Sequence, residues 1–268
     1  MVSSAFTKAE VNISFPNGKL ISKTLNWLDV YQEASLLTDL PGTLVQSSKP
    51  VSVVSGASCA RVSTSLCDMA CEQMIPTNAF QTYFIVPPIL SEQFMVFMVF
   101  SSESNNKVCV KDVLFENCKT MGWNQWLQSK TKNSSLVVTS QEPISVIQYK
   151  GVRMYMAIIP GIRQFMNSYT FVVPEIYVHH DYYISVIILS SASQSLRLDG
   201  TPPIQLNGTF HVEPPFDKYT VLTFRITTRY HVMTSTEIHV VFGLIVFGID
   251  YKDGAFGYPA GINFGKFL

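Results

Sequence analysis

The sequence predicts an all-β protein made of three divergent, sandwich-like pseudo-repeats of roughly 90 residues packed together. Three observations carry this expectation. Runs rich in Val, Ile, Tyr, Phe and Thr recur along the chain, as at Tyr169-Thr170-Phe171-Val172-Val173 and Tyr182-Tyr183-Ile184-Ser185-Val186-Ile187-Ile188. Such side chains fit a pleated surface. Helical periodicity is scarce, with only Trp123-Asn124-Gln125-Trp126-Leu127 offering a turn of helix. The chain also aligns on itself. Lys49-Pro50-Val51-Ser52-Val53-Val54-Ser55-Gly56 returns as Glu142-Pro143-Ile144-Ser145-Val146-Ile147-Gln148-Tyr149 and, without the proline, as Val241-Phe242-Gly243-Leu244-Ile245-Val246-Phe247-Gly248.

The first unit, residues 1–91, opens with the strict alternation Glu10 to Phe15, which puts Val11, Ile13 and Phe15 on one face. Pro16-Asn17-Gly18 then turns the chain, and Asn-Gly between alternating runs is a hairpin signal. Pro50 marks a strand start, where the missing N–H costs no ladder bond. Gly56 to Thr82 is the longest non-periodic stretch and predicts a loop, the best contact candidate on a rigid scaffold. Tyr83-Phe84-Ile85-Val86-Pro87 closes the unit.

The second unit, 92–176, holds the uniformly apolar Phe94 to Phe100, which suits a fully buried strand. An opening hairpin with its tip at Ser104-Asn105-Asn106, the strand after Pro143 and the closing Thr170-Phe171-Val172-Val173-Pro174 follow. In the third unit, 177–268, Asp199-Gly200 is the hairpin tip, and Phe256, Tyr258, Phe264 and Phe267 are placed to cover a sheet edge.

Composition excludes several classes. Of 268 residues, 47% are hydrophobic and 14% charged, with 19 Lys+Arg against 19 Asp+Glu. A disordered tail needs the opposite balance, and a nucleic-acid binder needs a basic stripe. The apolar run Ile238 to Ile249 contains His239 and is shorter than the about 20 residues of a membrane-spanning helix. No nucleic-acid partner and no transmembrane segment are expected.

Other features point outside the cell. Asn-x-Ser/Thr acceptors stand at Asn12, Asn133 and Asn207, and there are five cysteines. Cys59, Cys67 and Cys71 share the polar loop, while Cys109 and Cys118 are close enough to staple a hairpin. One thiol is left over. The N-terminus lacks the apolar core of a signal peptide, so a chain that has lost its leader reconciles a secreted location with this sequence.

No catalytic or metal site assembles. His179-His180-Asp181 places adjacent imidazoles on opposite faces of a strand, where both cannot reach one metal. Gly56-Ala57-Ser58-Cys59-Ala60 approaches a nucleophile elbow but ends in alanine and precedes no helix. Asp250-Tyr251-Lys252-Asp253-Gly254 lacks the alternation and terminal Glu of a calcium loop. No cofactor is expected.

Beyond these local signals, several segments resemble the N-terminal domain of the IgG Fc-binding protein family. They are Ser48 to Gly56, then Cys59, Cys67-Asp68, Glu72-Gln73 and Phe84-Ile85-Val86-Pro87-Pro88, followed by Pro143 to Tyr149, Leu198-Asp199-Gly200 and Gly257-Tyr258-Pro259-Ala260-Gly261. The resemblance runs from about Glu10 to Gly261 and implies a secreted, mucus-associated or cell-surface recognition module. It also implies a Cys59 to Cys67 bridge. Where the family reads Cys-Asp-His-Leu-Val-Glu-Gln, this chain has Met69 and Cys71, so Cys71 is either unpaired or a competitor for that bridge. The expected function is a non-catalytic extracellular binding module for protein or glycan. The alternative is a self-associating structural unit of a mucus-like or coat-like assembly.

Overall fold

The computed structural model describes residues 1–35, 40–60, 68–90, 94–132, 134–150, 155–175, 181–250 and 254–265. Among them the regular structure is all strand apart from three 3-10 turns, at Thr77–Ala79, Ile162–Gln164 and Ser190–Ser195. The β-branched and aromatic runs account for this, because alternating side chains bury one face of each strand, and in the central strands both.

The N-terminal strands are β1 (Val2–Ser4), β2 (Ala9–Ser14), β3 (Leu20–Leu25), β4 (Val30–Tyr31), β5 (Leu44–Ser47), β6 (Val51–Ala60) and β7 (Asp68–Gln73). They form a sheet β4-β1-β6-β7 and a sheet β3-β2-β5. Val2, Ala9, Val11, Ile13, Phe15 and Leu25 make the core between them. The Asn17-Gly18 turn does join a hairpin here, with Gly18 at φ +84°.

The middle strands are β8 (Gln81–Val86), β9 (Phe94–Ser101), β10 (Asn106–Lys111), β11 (Glu116–Met121), β12 (Trp126–Lys132), β13 (Leu136–Tyr149) and β14 (Met156–Ile159). β13 is the organising element. Its first half pairs with β10 and β8, its second half with β9 and β14, and the ladder shifts register between Thr139 and Ile144. One long bent strand thus supplies both layers of a sandwich. Phe84, Phe97, Val99, Val108, Leu136, Val138 and Val146 fill it. Truncating Phe97, which is fully buried, costs about 3–5 kcal/mol on the usual scale for core aromatics.

The C-terminal strands are β15 (Ser168–Val173), β16 (Asp181–Leu189), β17 (Leu196–Leu198), β18 (Leu206–His211), β19 (Tyr219–Ile226), β20 (Arg229–Ser235), β21 (Gly243–Asp250) and β22 (Gly254–Pro259). They form a sheet β15-β20-β17 and a sheet β18-β19-β16-β21-β22. The five-stranded sheet is apolar on both sides. Leu244 and Val246 of β21 pack toward the three-stranded sheet, while Ile245, Phe247 and Ile249 close the core of the middle sandwich.

Several details depart from the sequence expectations. The proline-ended strands do not close the units they follow: β8 pairs with β13 and β15 with β20. Lines drawn at residues 91 and 176 therefore cut each strand from its sheet. In both cases a 3-10 turn just upstream redirects the chain, and Gln164 Nε2 of one turn donates to Ala79 O of the other at 2.9 Å. The turn at Ser104-Asn105-Asn106 does not join paired neighbours either, since β9 and β10 bond to other strands; Asp199-Gly200 is a tight tip across which Leu198 and Thr201 form an antiparallel bridge, although β17 and β18 pair with other strands. The buried Asn106 explains the Ser104-Asn105-Asn106 turn, since its side chain bonds both the N–H and the carbonyl of Glu142 at the β13 bend. Trp123 to Gln125 form a tight turn and β12 starts at Trp126, so no helix forms there.

Candidate functional site

The described residues of the stretch from Gly56 to Thr82 are largely regular. Gly56 to Ala60 end β6, and β7 pairs back on them with Gly56 opposite Cys71 and Ala57 opposite Ala70. Ser58 and Cys59 thus lie inside a strand, without the turn that a nucleophile elbow requires. A Cβ at Gly56 would lie 2.1 Å from the Ala70 carbonyl oxygen, so only glycine admits this approach. Ala70 is buried against Ile147, Met156 and Ile158, which docks the hairpin onto the middle sandwich. Burial pushes the Glu72 carboxyl above its usual range, against hydrogen bonds from the Gln73 and Ile158 backbone N–H groups. Cys59 is disulfide-bonded, Cys71 carries a free exposed thiol, and Cys67 lies outside the described residues.

The hairpin of β10 and β11 is built differently. Cys109 and Cys118 stand directly opposite each other and are joined by a disulfide. Beyond them Lys111 faces Glu116 at 3.9 Å, and Asp112 closes the turn. Its Oδ1 accepts the N–H groups of Leu114 (2.6 Å) and Phe115 (3.0 Å), while its own N–H donates to Phe115 O at 3.0 Å. Short acidic side chains favour such turns because they imitate a backbone acceptor. The result is a tip held by a covalent bond and by backbone bonds, presenting Val113 (62% exposed) and Leu114 (66% exposed) to solvent.

That tip leans over the end of the sandwich, where β9 begins and β12 ends. Phe94 pairs across the strands with Lys132, and Lys130 Nζ sits 4.5 Å from the centre of the Phe94 ring. Phe94, Asp112, Leu114, Phe115, Lys130 and Lys132 line a cleft of about 420 Å³. Its volume falls in the range of ligand sites, its floor is apolar and its rim is cationic. Sequence reasoning missed it. The signal was present as three consecutive apolar residues, Val113-Leu114-Phe115, midway between two cysteines, a pattern that belongs in a core unless it has a partner.

The other predicted positions are scattered. Asn12 is exposed on β2, with its Oδ1 accepting from Ser22 Oγ at 2.6 Å, and Asn207 is exposed on β18. Asn133, His179 and His180 lie outside the described residues, as do residues 251–253 and Phe267. Asp181 starts β16 and is ion-paired with Arg225. Cys109, Glu116 and Cys118 cluster at metal-ligand spacing, but sulfurs joined to each other offer no thiolate, so the group is no zinc site.

A second polar cluster secures the fold. Asp199 accepts from Arg229 at 2.8 Å, from His231 Nδ1 at 2.9 Å and from the Val232 N–H at 3.0 Å. Partial burial pushes its carboxyl up, but the bonds from Val232, His231 and Arg229 outweigh this and hold it below the usual carboxylate range. His231 is itself buried and donates from Nε2 to Thr227 O at 2.9 Å. The Leu198-Asp199-Gly200 motif is thus a clasp on β20. Gly257-Tyr258-Pro259-Ala260-Gly261 is likewise structural. A Cβ at Gly257 would meet the Tyr155 ring at 2.5 Å, and Tyr258 OH donates to Val172 O. Burial pushes the Tyr258 and Tyr169 phenols up to about 12.

A family model described as IgGFc binding protein matches residues 1–248. The chain belongs to the IgGFc binding protein family. The human IgGFc-binding protein is 40% identical over 78 residues, which are 29% of this chain and 1% of the human protein. The chain thus corresponds to a very small part of that relative. No solved structure gives a significant match. The family is one of binding proteins, and among the described residues no helix is long and apolar enough to cross a membrane.

Proposed function

We propose that this chain is a non-catalytic recognition module that binds protein partners outside the cell, with the stapled β10–β11 tip as its contact element. The exposed Val113-Leu114-Phe115 turn, held by Cys109–Cys118 and Asp112, carries this reading. Exposed apolar side chains on a rigid turn bind with little loss of conformational freedom, because the ordering cost has been met in folding. Family membership supports a binding role, and the disulfide supports an oxidising compartment.

Surface plasmon resonance with the immobilised chain tests it, using the Fc part of immunoglobulin G and secreted mucin glycoproteins as analytes. Binding that disappears in Leu114→Asp, with near-UV circular dichroism unchanged, supports the reading. Binding retained in full by Leu114→Asp moves the interface away from the tip and overturns it. Sedimentation over a range of concentrations separates this module from a self-associating unit, which would not stay monomeric.

A further inference from the structure

We infer that the cleft beneath the hairpin tip selects an extended acidic segment of a protein partner, seating an apolar side chain on Phe94, Leu114 and Phe115 and carboxylates at Lys130 and Lys132. This rests on the reading of the tip as the contact element and names the chemistry that the tip would meet.

The charge arrangement carries the argument. Lys130 and Lys132 are two apart on β12, so both ammonium stems leave the same face of that strand. Neither makes an ion pair among the described residues. Among the described residues the one carboxylate lining the cleft, Asp112, is buried and turned inward onto the Leu114 and Phe115 N–H groups. Glu116, next along the hairpin, faces Lys111. The rim therefore carries two cations that the hairpin's own acids do not neutralise.

Lys130 lies over the Phe94 ring, which orients one charge beside the apolar floor. A ligand that brings an apolar side chain and a carboxylate a residue or two apart matches both features, and charge-assisted hydrogen bonds to ammonium groups are the stronger kind. A cationic or purely apolar ligand leaves the lysines unmatched. An anionic membrane is the weaker fit, because the rim holds two lysines where surface attraction to lipid typically draws on clusters of 4–8.

Fluorescence anisotropy with the full chain tests this, using a fluorescein-labelled Glu-Asp-Phe-Glu-Asp-Leu peptide, its lysine-substituted counterpart Lys-Lys-Phe-Lys-Lys-Leu, and vesicles of phosphatidylcholine with phosphatidylserine. The acidic peptide should bind at least about tenfold more tightly than the cationic one and weaken with salt. The double variant Lys130→Glu/Lys132→Glu, an exposed change whose folding is checked by near-UV circular dichroism, should lose about tenfold in affinity for it. Equal binding of the two peptides, or no binding of either up to about 1 mM, overturns the inference. So does a lysine pair whose reversal abolishes vesicle binding and leaves the acidic peptide untouched.

The variants also separate this inference from the reading beneath it. Loss with Leu114→Ser but not with the lysine pair overturns the acidic selectivity and keeps the tip. Loss with the lysine pair but not with Leu114→Ser supports the anion site and removes the tip from the interface.

Discussion

The hairpins β6–β7 and β10–β11 both involve disulfide-bonded cysteines, yet they do opposite work. In the first, alternate residues face a neighbouring sheet, and Ala70 is buried among Ile147, Met156 and Ile158. In the second, β10 is anchored in the sandwich through Val108 and Val110, but every residue from Val113 to Thr120 on the turn and β11 is exposed, and Cys109–Cys118 ties the outer strand to the inner one. A hairpin that another sheet covers becomes scaffold. One whose turn and outer strand are stapled and left uncovered can present an apolar tip without collapsing onto the body. The lack of periodicity that marked Gly56 to Thr82 as a loop did not foresee the end of β6 or β7, because cover depends on the opposing layer.

The largest expected effect breaks the covered hairpin. Ala70→Glu forces a carboxylate into an apolar layer and should cost at least about 3 kcal/mol, read as a lower urea midpoint. Next comes the staple: Cys109→Ser/Cys118→Ser releases a short closed loop and should cost about 2–3 kcal/mol on the chain-entropy account, with partner affinity falling because the tip is no longer held. If that variant kept full stability and full affinity, the contrast between cover and staple would not hold.

A third attachment works by charge. Asp199 holds β20 with its carboxyl below the usual range. The stabilisation from this group is fully present above the ordinary carboxylate pKa and is lost as pH falls through the lowered folded value. Asp199→Asn keeps a residue that tolerates the left-handed backbone at φ +52°. It should cost about 1 kcal/mol near neutrality and flatten the acid limb of a stability-against-pH curve; an unchanged limb would assign the acid sensitivity elsewhere. The smallest effect on folding belongs to the tip. Leu114→Ser should change stability by no more than about 0.5 kcal/mol while abolishing partner binding, so its melting curve should overlay that of the parent.

The sequence by itself determined the all-β class, because β-branched and aromatic runs with turn residues between them have few other solutions. It also determined family membership, with a family model matching residues 1–248, and several local contacts. Asp199 must clasp β20, Gly257 must pass the Tyr155 ring, and Gly56 must lie against the Ala70 carbonyl. Local patterns of this kind are written in neighbouring residues. Which strand pairs with which was decided only by tertiary structure. β8 and β15 read as ends of units and fold as members of the following sheets, since a strand's hydrogen bonds do not record their partner in its side chains. The cleft belongs to the same class. Phe94, Leu114, Lys130 and Lys132 are distant in sequence and ordinary one by one, and they become a site only where the bent β13 holds the two half-sheets together at one end of the sandwich.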